Sequence, residues 1–186
     1  MSRLVSCLVA CCAVWIASPA GRAQTLSPAA VSEQSIKAAF LCKFVGYVEW
    51  PDERGLAGSA LLIGVLESEA MADELVRITQ GRTVSERHVT VRRLAPGDSL
   101  DGLHILFVGA REHARLDELL LPARQQPILT VTEAKGALAD GSIINFTVDK
   151  QRVRFEVSLH AAERSRLKLS SRLLAVAQRV QRVPES

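Results

Sequence analysis

The stretch ALLIGVLE, residues 60–67, decides the fold, because it is a continuous apolar run of strand length. A strand without polar alternation is covered on both faces, as in a parallel sheet with helices on either side. LHILFVGA (103–110) and PILTVTE (127–133) repeat this pattern further along the chain. The three runs therefore predict the buried strands of a mostly parallel sheet.

Helical segments separate these strands. Ser32 is predicted to cap a first, nearly all-apolar helix that ends at Trp50, because Pro51 disfavours helical geometry in the residue before it. Residues 68–79 and 112–121 are predicted to form two more helices. Buried strands that alternate with helices indicate one α/β domain of three layers.

The remaining strands alternate apolar and polar residues. HVTVRRL (88–94) is one of them, and SIINFTV (142–148) and RVRFEVSL (152–159) flank a turn in the manner of a β-hairpin. A short helix is expected over about 160–165, and a last helix over about 170–180. The predicted fold is α/β: a single three-layer domain with a mixed, mostly parallel sheet and a C-terminal β-hairpin plus helix.

The first 23 residues have the pattern of a secretory signal peptide: a basic start, a short apolar run and small residues before a cut after Ala23. Residues 24–186 would then form the exported domain. Because Arg3 and Arg22 leave with the leader, the formal net charge of +3 falls by two, to near neutrality. This balance does not favour nucleic-acid binding, and no later segment has the length that membrane insertion requires.

Cys42 is the one cysteine that remains after export, so no internal disulfide is possible. A lone cysteine in an oxidising compartment is either buried and inert or a route to an intermolecular bridge. Burial is favoured, because a free cysteine packs like a small hydrophobic residue.

No catalytic or metal-binding pattern stands out. The four histidines lack metal-ligand spacing, and His104, inside an apolar strand, is predicted to be a satisfied core residue. Neither a G-x-S-x-G elbow nor a phosphate-binding glycine loop is present, so the sequence predicts no enzyme and no cofactor. Glu133 and Asp140 flank a predicted strand end, where open α/β sheets often bind ligands. They are a weak small-ligand site, with a solvated loop as the alternative.

Arginines crowd the last third of the chain and suggest steering toward an acidic protein partner, although a solvated basic face is the simpler interpretation. In the predicted hairpin, Val153, Phe155 and Val157 share one face, and Arg152, Arg154 and Glu156 share the other. Phe146 or Phe155 is a candidate anchor for such a partner. The arginines are Arg152, Arg154, Arg164, Arg166, Arg172, Arg179 and Arg182.

Three blocks of sequence resemble a known family. They are KAAFLCKFVGYVEWP (37–51), GRTVSERHVTVRRL (81–94) with LHILFVG (103–109), and the block from PILTVTE to AVAQRV (127–180). Together they are similar to the YfiR/HmsC-like periplasmic proteins, a domain family of unknown function. The resemblance spans nearly all of the chain that follows the leader, in the same order.

The resemblance implies a non-enzymatic regulator in the periplasm. Its best-known members repress an inner-membrane diguanylate cyclase, a GGDEF protein, by binding that protein's periplasmic sensor region. An OmpA-like outer-membrane lipoprotein relieves the repression by sequestering the regulator. The output is cyclic-di-GMP, and with it biofilm formation. Family members tend to form homodimers.

The expected partner surface runs along the C-terminal block, over Phe146, Arg152, Arg154, Glu163, Leu167 and Leu169. For Leu167 and Leu169, core packing at a helix entry is an equal alternative. Where relatives often carry cysteine this chain has Leu103, so their disulfide-based redox control is not implied here. The alternative function is a periplasmic small-ligand sensor that uses Glu133 and Asp140 and feeds a membrane kinase or another signalling partner.

Overall fold

One eight-stranded sheet carries the fold, with helices packed on both faces. The structure is a computed structural model and describes residues 32–51, 60–109 and 115–183. The strands are β1 (Val48–Glu49), β2 (Leu61–Leu66), β3 (Thr83–Val84), β4 (Arg87–Leu94), β5 (Ile105–Val108), β6 (Leu129–Thr132), β7 (Ile144–Asp149), β8 (Arg152–Ser158), β9 (Lys168–Leu169) and β10 (Arg179–Gln181). The helices are α1 (Glu33–Phe44), α2 (Glu69–Thr79), α3 (Leu116–Leu120), α4 (Leu159–Arg164) and α5 (Ser171–Val176).

The strand order of the sheet is β3-β4-β2-β5-β6-β7-β8-β10. In this order, the neighbours from β4 through β2, β5 and β6 to β7 are parallel. β3 pairs antiparallel with β4, β8 pairs antiparallel with β7, and β10 pairs parallel with β8. β1 and β9 form a separate antiparallel pair. The predicted mixed, mostly parallel sheet with a C-terminal hairpin and helix is confirmed.

The two faces of the sheet contribute to two apolar cores. In β2, Leu61, Ile63 and Val65 pack with α1 and α2, whereas Leu62 and Leu66 pack with α3 on the other face. Because successive residues of a strand point to opposite faces, a strand buried on both sides needs an unbroken apolar run. The three-layer prediction from ALLIGVLE is therefore confirmed.

Serine side chains begin four of the helices. Ser32 Oγ accepts a hydrogen bond from the Ser35 N–H at 3.0 Å, and Ser68 Oγ accepts from the Met71 N–H at 3.4 Å. Ser170 caps α5 in the same way, as Ser158 caps α4. Each cap satisfies a backbone donor that the first turn of a helix leaves open.

The first helix is shorter than the sequence predicts. α1 ends at Phe44, a 3₁₀ turn follows over Val45–Tyr47, and the chain then extends as β1. Pairing between Val48 and Leu169 supplies the backbone hydrogen bonds that a continued helix would have made. The predicted helix end at Trp50 is wrong, because this distant strand competes for the same backbone.

The last helix is also shorter than predicted. α5 ends at Val176, and residues 179–181 add to the sheet as β10, where the prediction had helix to Val180. The Gln178 N–H donates to the Phe155 carbonyl at 2.8 Å and starts this pairing. The open edge of β8 thus recruits a segment whose apolar spacing also suits a helix.

Two tight turns join antiparallel strands. Lys150 and Gln151 join β7 to β8 with φ of 47° and 61°, and Ser85 and Glu86 join β3 to β4 with φ of 49° and 64°. Two successive positive φ values define the hairpin turn that matches the twist of the strands. The first hairpin is the predicted one, whereas β3 was not predicted.

Some predictions fall outside the described residues. The leader at 1–23 is one, and the start of the helix predicted over 112–121 is another. Within the described ranges, none of the helices has both the length and the apolar character that a bilayer crossing needs.

Candidate partner-binding groove

A groove of about 470 Å³ lies between α1, β8 and α5, and we call it the α1–β8 groove. Its floor is aromatic: the Phe44 ring lies 5.2 Å from that of Phe155, edge to face, and Phe40 lies 5.7 Å from Phe155. Such ring pairs add about 0.5–1.5 kcal/mol each beyond their burial. The lining residues are Phe40, Lys43, Phe44, Tyr47, Val153, Arg154, Phe155, Arg172, Leu173 and Val176.

Backbone hydrogen bonds join the segments that form the walls of the groove. The Ser170 N–H, at the start of α5, donates to the Tyr47 carbonyl at 2.9 Å. Next to this bond, β1 pairs with β9 and joins the chain after α1 to the chain before α5. The early end of α1 therefore creates the groove, because it lets α5 sit beside Phe44 instead of beside a longer helix.

The rim of the groove is basic. Lys43, Arg154 and Arg172 are exposed, and no acidic residue is among the described residues that line the groove. Across the described ranges these three side chains make no salt bridge or hydrogen bond. Unpaired cations around a partly apolar concavity attract acidic groups of a partner and orient it during encounter.

Apolar side chains also remain exposed at this rim. Val176, at the end of α5, is 64% exposed, and Tyr47 is 38% exposed. Val148, the cross-strand neighbour of the lining residue Val153, is 52% exposed. Exposed apolar groups beside a groove mark interaction sites more often than isolated surface residues do.

The predicted partner residues are spread over two places. Arg154 lines the α1–β8 groove, and Arg152 is exposed two residues earlier on the same strand. Phe146 is 2% exposed and packs against Phe44 at 5.9 Å, so it supports the groove floor from below. Phe155 is likewise buried in this cluster. The predicted division of β8 into an apolar and a charged face is confirmed.

The other predicted partner residues lie along α4 and β9. Glu163 is exposed on α4, Leu167 is 3% exposed within the larger core, and Leu169 is half-buried in β9. Core packing is therefore the structural role of Leu167. As partner contacts, these positions stay predictions.

Glu133 and Asp140 lie toward opposite ends of the neighbouring strands β6 and β7, and their role as a ligand site stays a prediction. Glu133 follows the carboxyl end of β6, whereas the Asp140 carbonyl accepts from Arg124 at 2.8 Å, before the amino ends of β6 and β7. Between them the chain returns from the carboxyl end of β6 to the amino end of β7, because the two strands are parallel neighbours.

Glu133 is engaged in a buried ion pair. The Lys37 Nζ lies 2.6 Å from Glu133 Oε2 and 2.5 Å from Glu33 Oε1, and Lys37 is 5% exposed. Burial lowers the pKa of Lys37, but its hydrogen bonds to Glu133 and Glu33 outweigh this and hold the pKa above its ordinary value. The Glu133 carboxylate is thus already partly neutralised.

A second cavity, of about 550 Å³, opens at the carboxyl ends of the strands, and we call it the strand-end cleft. It lies beside the point where the chain reverses its strand order, between β2 and β5, the usual ligand position in open α/β sheets. Glu69, on its wall, pairs with Arg93 at 2.9 Å. The lining residues are Glu67, Ser68, Glu69, Ala70, Leu94, Ala95, Pro96 and Glu133.

His104 and Cys42 have structural roles. His104 is buried, as predicted, and its Nδ1 accepts the Leu62 N–H at 3.2 Å. Cys42 is half-buried against the larger core, and burial raises the pKa of its thiol to about 11. Within the described ranges, no group of three or more His, Cys, Asp or Glu side chains is placed to hold a metal.

Sequence reasoning missed most of the groove. Phe40, Phe44 and Tyr47 follow helical spacing, which indicated only burial, and the rim position of Tyr47 depends on the early end of α1. Val176 lies between Ala175 and Ala177, so its sequence position indicated only the apolar side of the last helix.

The strands and helices define an α/β domain. The family model for YfiR/HmsC-like proteins matches residues 34–178, and the chain belongs to this family. Membership places it, at family level, among periplasmic regulatory proteins.

A solved structure supports the fold. A conserved domain protein from Vibrio cholerae O1 biovar El Tor is similar over 81% of this chain, with a TM-score of 0.56 and 11% sequence identity. This chain covers 60% of that protein's chain. No curated protein matches the chain.

Proposed function

We propose that this protein is a periplasmic regulator that binds the periplasmic sensor region of an inner-membrane diguanylate cyclase and represses it. Cyclic-di-GMP, and with it biofilm formation, would then rise when the regulator is absent or sequestered by an OmpA-like outer-membrane lipoprotein. The observation that carries the proposal is the α1–β8 groove, in a chain that belongs to a family of periplasmic regulators.

The groove has the composition of a protein-binding site. Its aromatic floor offers pockets for apolar anchors, and central anchors of this kind supply most of the free energy of binding in protein interfaces. Its rim cations, Lys43, Arg154 and Arg172, favour an acidic partner and speed the encounter. We expect the regulator to act as a homodimer.

Deletion of the gene tests the proposal. Cellular cyclic-di-GMP and biofilm are expected to rise in the deletion strain and to return to the starting level with the full-length gene. A copy without residues 1–23 is the matched control, because it makes the same domain but keeps it inside the cell. Unchanged cyclic-di-GMP in the deletion strain, or full rescue by the control copy, would contradict the proposal.

A second candidate function is that of a small-ligand sensor, and the strand-end cleft supports it by its position beside the reversal of strand order. The Glu67 carboxylate, which makes no ion pair across the described residues, favours a cationic ligand such as an amine. A panel of periplasmic amines and amino acids should then raise the melting temperature of the protein. The rise should disappear in Glu67→Gln, a change at a half-buried residue of the cleft, and persist in Glu118→Gln, on the exposed face of α3.

A further inference from the structure

The sheet has an open edge beside the α1–β8 groove. β10 pairs with β8 only at Glu156–Ser158, with one further bond from Gln178 to the Phe155 carbonyl. Within the described residues, the first half of β8, Arg152–Phe155, therefore has a strand neighbour on one side only, where it pairs with β7. An unpaired stretch of strand is a template for another extended segment.

The backbone of this half-strand is oriented for such pairing. The Phe155 carbonyl points to the outer edge, because it accepts from Gln178 on that side. Main-chain groups of a strand alternate in direction with a period of two, so the N–H and C=O of Val153 also point outward, together with the Phe155 N–H. A short added segment can therefore pair with the outward groups of Val153 and Phe155, in line with β10 on the N-terminal side of Gln178.

The two sides of this edge differ in chemistry. Val153 and Phe155 face the layer of α1, where the groove floor lies. Arg152 and Arg154 alternate with them on the other face, and Arg154, at the open edge, also lines the groove. Side chains of an added strand would alternate in the same way. Apolar residues would then enter the groove, and acidic residues would meet Arg152 and Arg154.

We propose that the α1–β8 groove binds an extended segment of a partner protein, with alternating apolar and acidic residues, as an added strand beside Arg152–Phe155. This rests on the proposed function, since it describes how the partner is held. Main-chain hydrogen bonds would supply affinity, and the aromatic floor and the cations would supply specificity, as in other complexes formed by strand addition.

Charge disfavours a second copy of this chain as the occupant. Two copies that paired through this edge about a two-fold axis would bring Arg152 and Arg154 of each copy beside those of the other. Like charges directly opposite each other on paired strands are destabilising. Lys43 and Arg172 on the rim would add to that repulsion.

Synthetic peptides test the mode of binding. Three labelled seven-residue peptides alternate glutamate with valine, leucine or phenylalanine, and three comparison peptides carry lysine instead of glutamate. Fluorescence anisotropy with the purified protein should show binding of at least one acidic peptide, and at least about tenfold weaker binding of its lysine counterpart, because the rim is cationic. Failure of all three acidic peptides, or equal binding of the two sets, would overturn the proposal.

N-methylation of the bound peptide tests the added strand itself. Two series of peptides carry N-methyl groups on alternate amides, at odd or at even positions. In a bound strand, one series lacks the N–H donors that face β8, and the other keeps them. One methylated series should lose binding and the other should keep it, because only one set of amides faces β8. Equal effects of the two series would show that the peptide does not add as a strand.

Protein variants locate the site. Arg154→Glu and Val176→Asp should each weaken the acidic peptide about tenfold, through like charge and lost apolar contact respectively. Both side chains are exposed, so the variants should keep the circular dichroism and melting temperature of the native protein. Arg164→Glu is the matched control, an equal charge change outside the groove, and should bind as the native protein does. Equal loss in all three variants would contradict the assignment to the groove.

Cells separate this proposal from the proposed function. If deletion raises cyclic-di-GMP and Arg154→Glu and Val176→Asp restore repression fully, the regulator function stands and the groove proposal is wrong. If deletion leaves cyclic-di-GMP unchanged but the acidic peptide binds in the groove, the regulator function is wrong and the groove proposal stands. A dimer that dissociates on Val176→Asp, in a protein that ignores the peptides, would assign the groove to a second copy instead.

Discussion

The α1–β8 groove and the strand-end cleft differ in how their charges are used. In the cleft, Lys37 neutralises Glu133 and Arg93 pairs with Glu69, which leaves Glu67 as the lining carboxylate without an ion pair across the described residues. In the groove, the rim cations Lys43, Arg154 and Arg172 make no ion pair or hydrogen bond across the described residues. Charges that are paired within the fold contribute to stability, whereas unpaired ones remain available to a partner. This difference favours a protein-binding role over a small-ligand role.

Helix α1 connects the two regions. Lys37 lies in its first half, near the end of β6, and Phe40 and Phe44 form the groove floor in its second half. Substitutions along one helix therefore test each region on a common background.

Phe44→Ala should cause the largest loss, about 3–5 kcal/mol in the free energy of unfolding, because it removes a buried ring and leaves a cavity. Phe44 is 1% exposed and contacts both Phe146 and Phe155. Urea denaturation of the purified protein measures the loss. Tyr47→Ala is the control, an aromatic of the same groove that is 38% exposed and should lose far less. Equal losses would show that the groove floor is not part of the core.

Lys37→Met should cost about 3 kcal/mol, because it leaves Glu133 in a partly buried position without its cation. Lys135→Met, an exposed lysine of the neighbouring loop, is the control and should be nearly neutral. Adding Glu133→Gln to Lys37→Met should recover part of the loss, since the uncompensated charge is then gone. A small cost for Lys37→Met alone would mean that the cleft carboxylates are free for a ligand.

The same pair gives a pH dependence with a defined sign. The pKa of Lys37 is raised in the folded protein, so its contribution is complete below the ordinary value of 10.5 and falls as pH rises through the folded value. The difference in unfolding free energy between the native protein and Lys37→Met should therefore be constant at neutral pH and shrink above about pH 10.5. A difference that grows with pH in that range would contradict the ion pair.

The fold was largely predictable because its signals are local. ALLIGVLE and LHILFVGA have no polar alternation, and a strand buried on both faces is the simplest reason for that pattern. The serine caps are equally local. The groove was not predictable in this way, because it depends on pairing between Val48 and Leu169, which lie far apart in the chain.

The separation of Glu133 and Asp140 in the fold was not predictable for a related reason. Glu133 and Asp140 are close in sequence, but the loop between them runs from the carboxyl end of β6 to the amino end of β7. The arginines illustrate the same limit: Arg154 lines the groove, whereas Arg124 and Arg179 are held by Asp117 and Glu156. Sequence shows where charges cluster, and only the fold shows which of them are paired.

The reactivity of the Cys42 thiol reports on the middle of α1, between the two regions. Burial raises the pKa of its thiol to about 11, so at pH 8 its thiolate fraction should be about 100-fold below that of an ordinary cysteine. Alkylation by iodoacetamide should be slower than in the urea-unfolded protein by a similar factor. Rapid alkylation of the folded protein would instead support the alternative of a disulfide-linked dimer through Cys42.

Arg154→Ala and Arg172→Ala should leave the free energy of unfolding unchanged within about 0.5 kcal/mol, as for exposed side chains without partners. Urea denaturation beside Lys37→Met measures the contrast directly. A loss above about 1 kcal/mol would show that the rim cations belong to the stabilising network, and the difference between the two regions would disappear. If stability is unchanged while repression in cells is lost, the groove cations serve binding alone, because the same substitutions then remove function without loosening the fold.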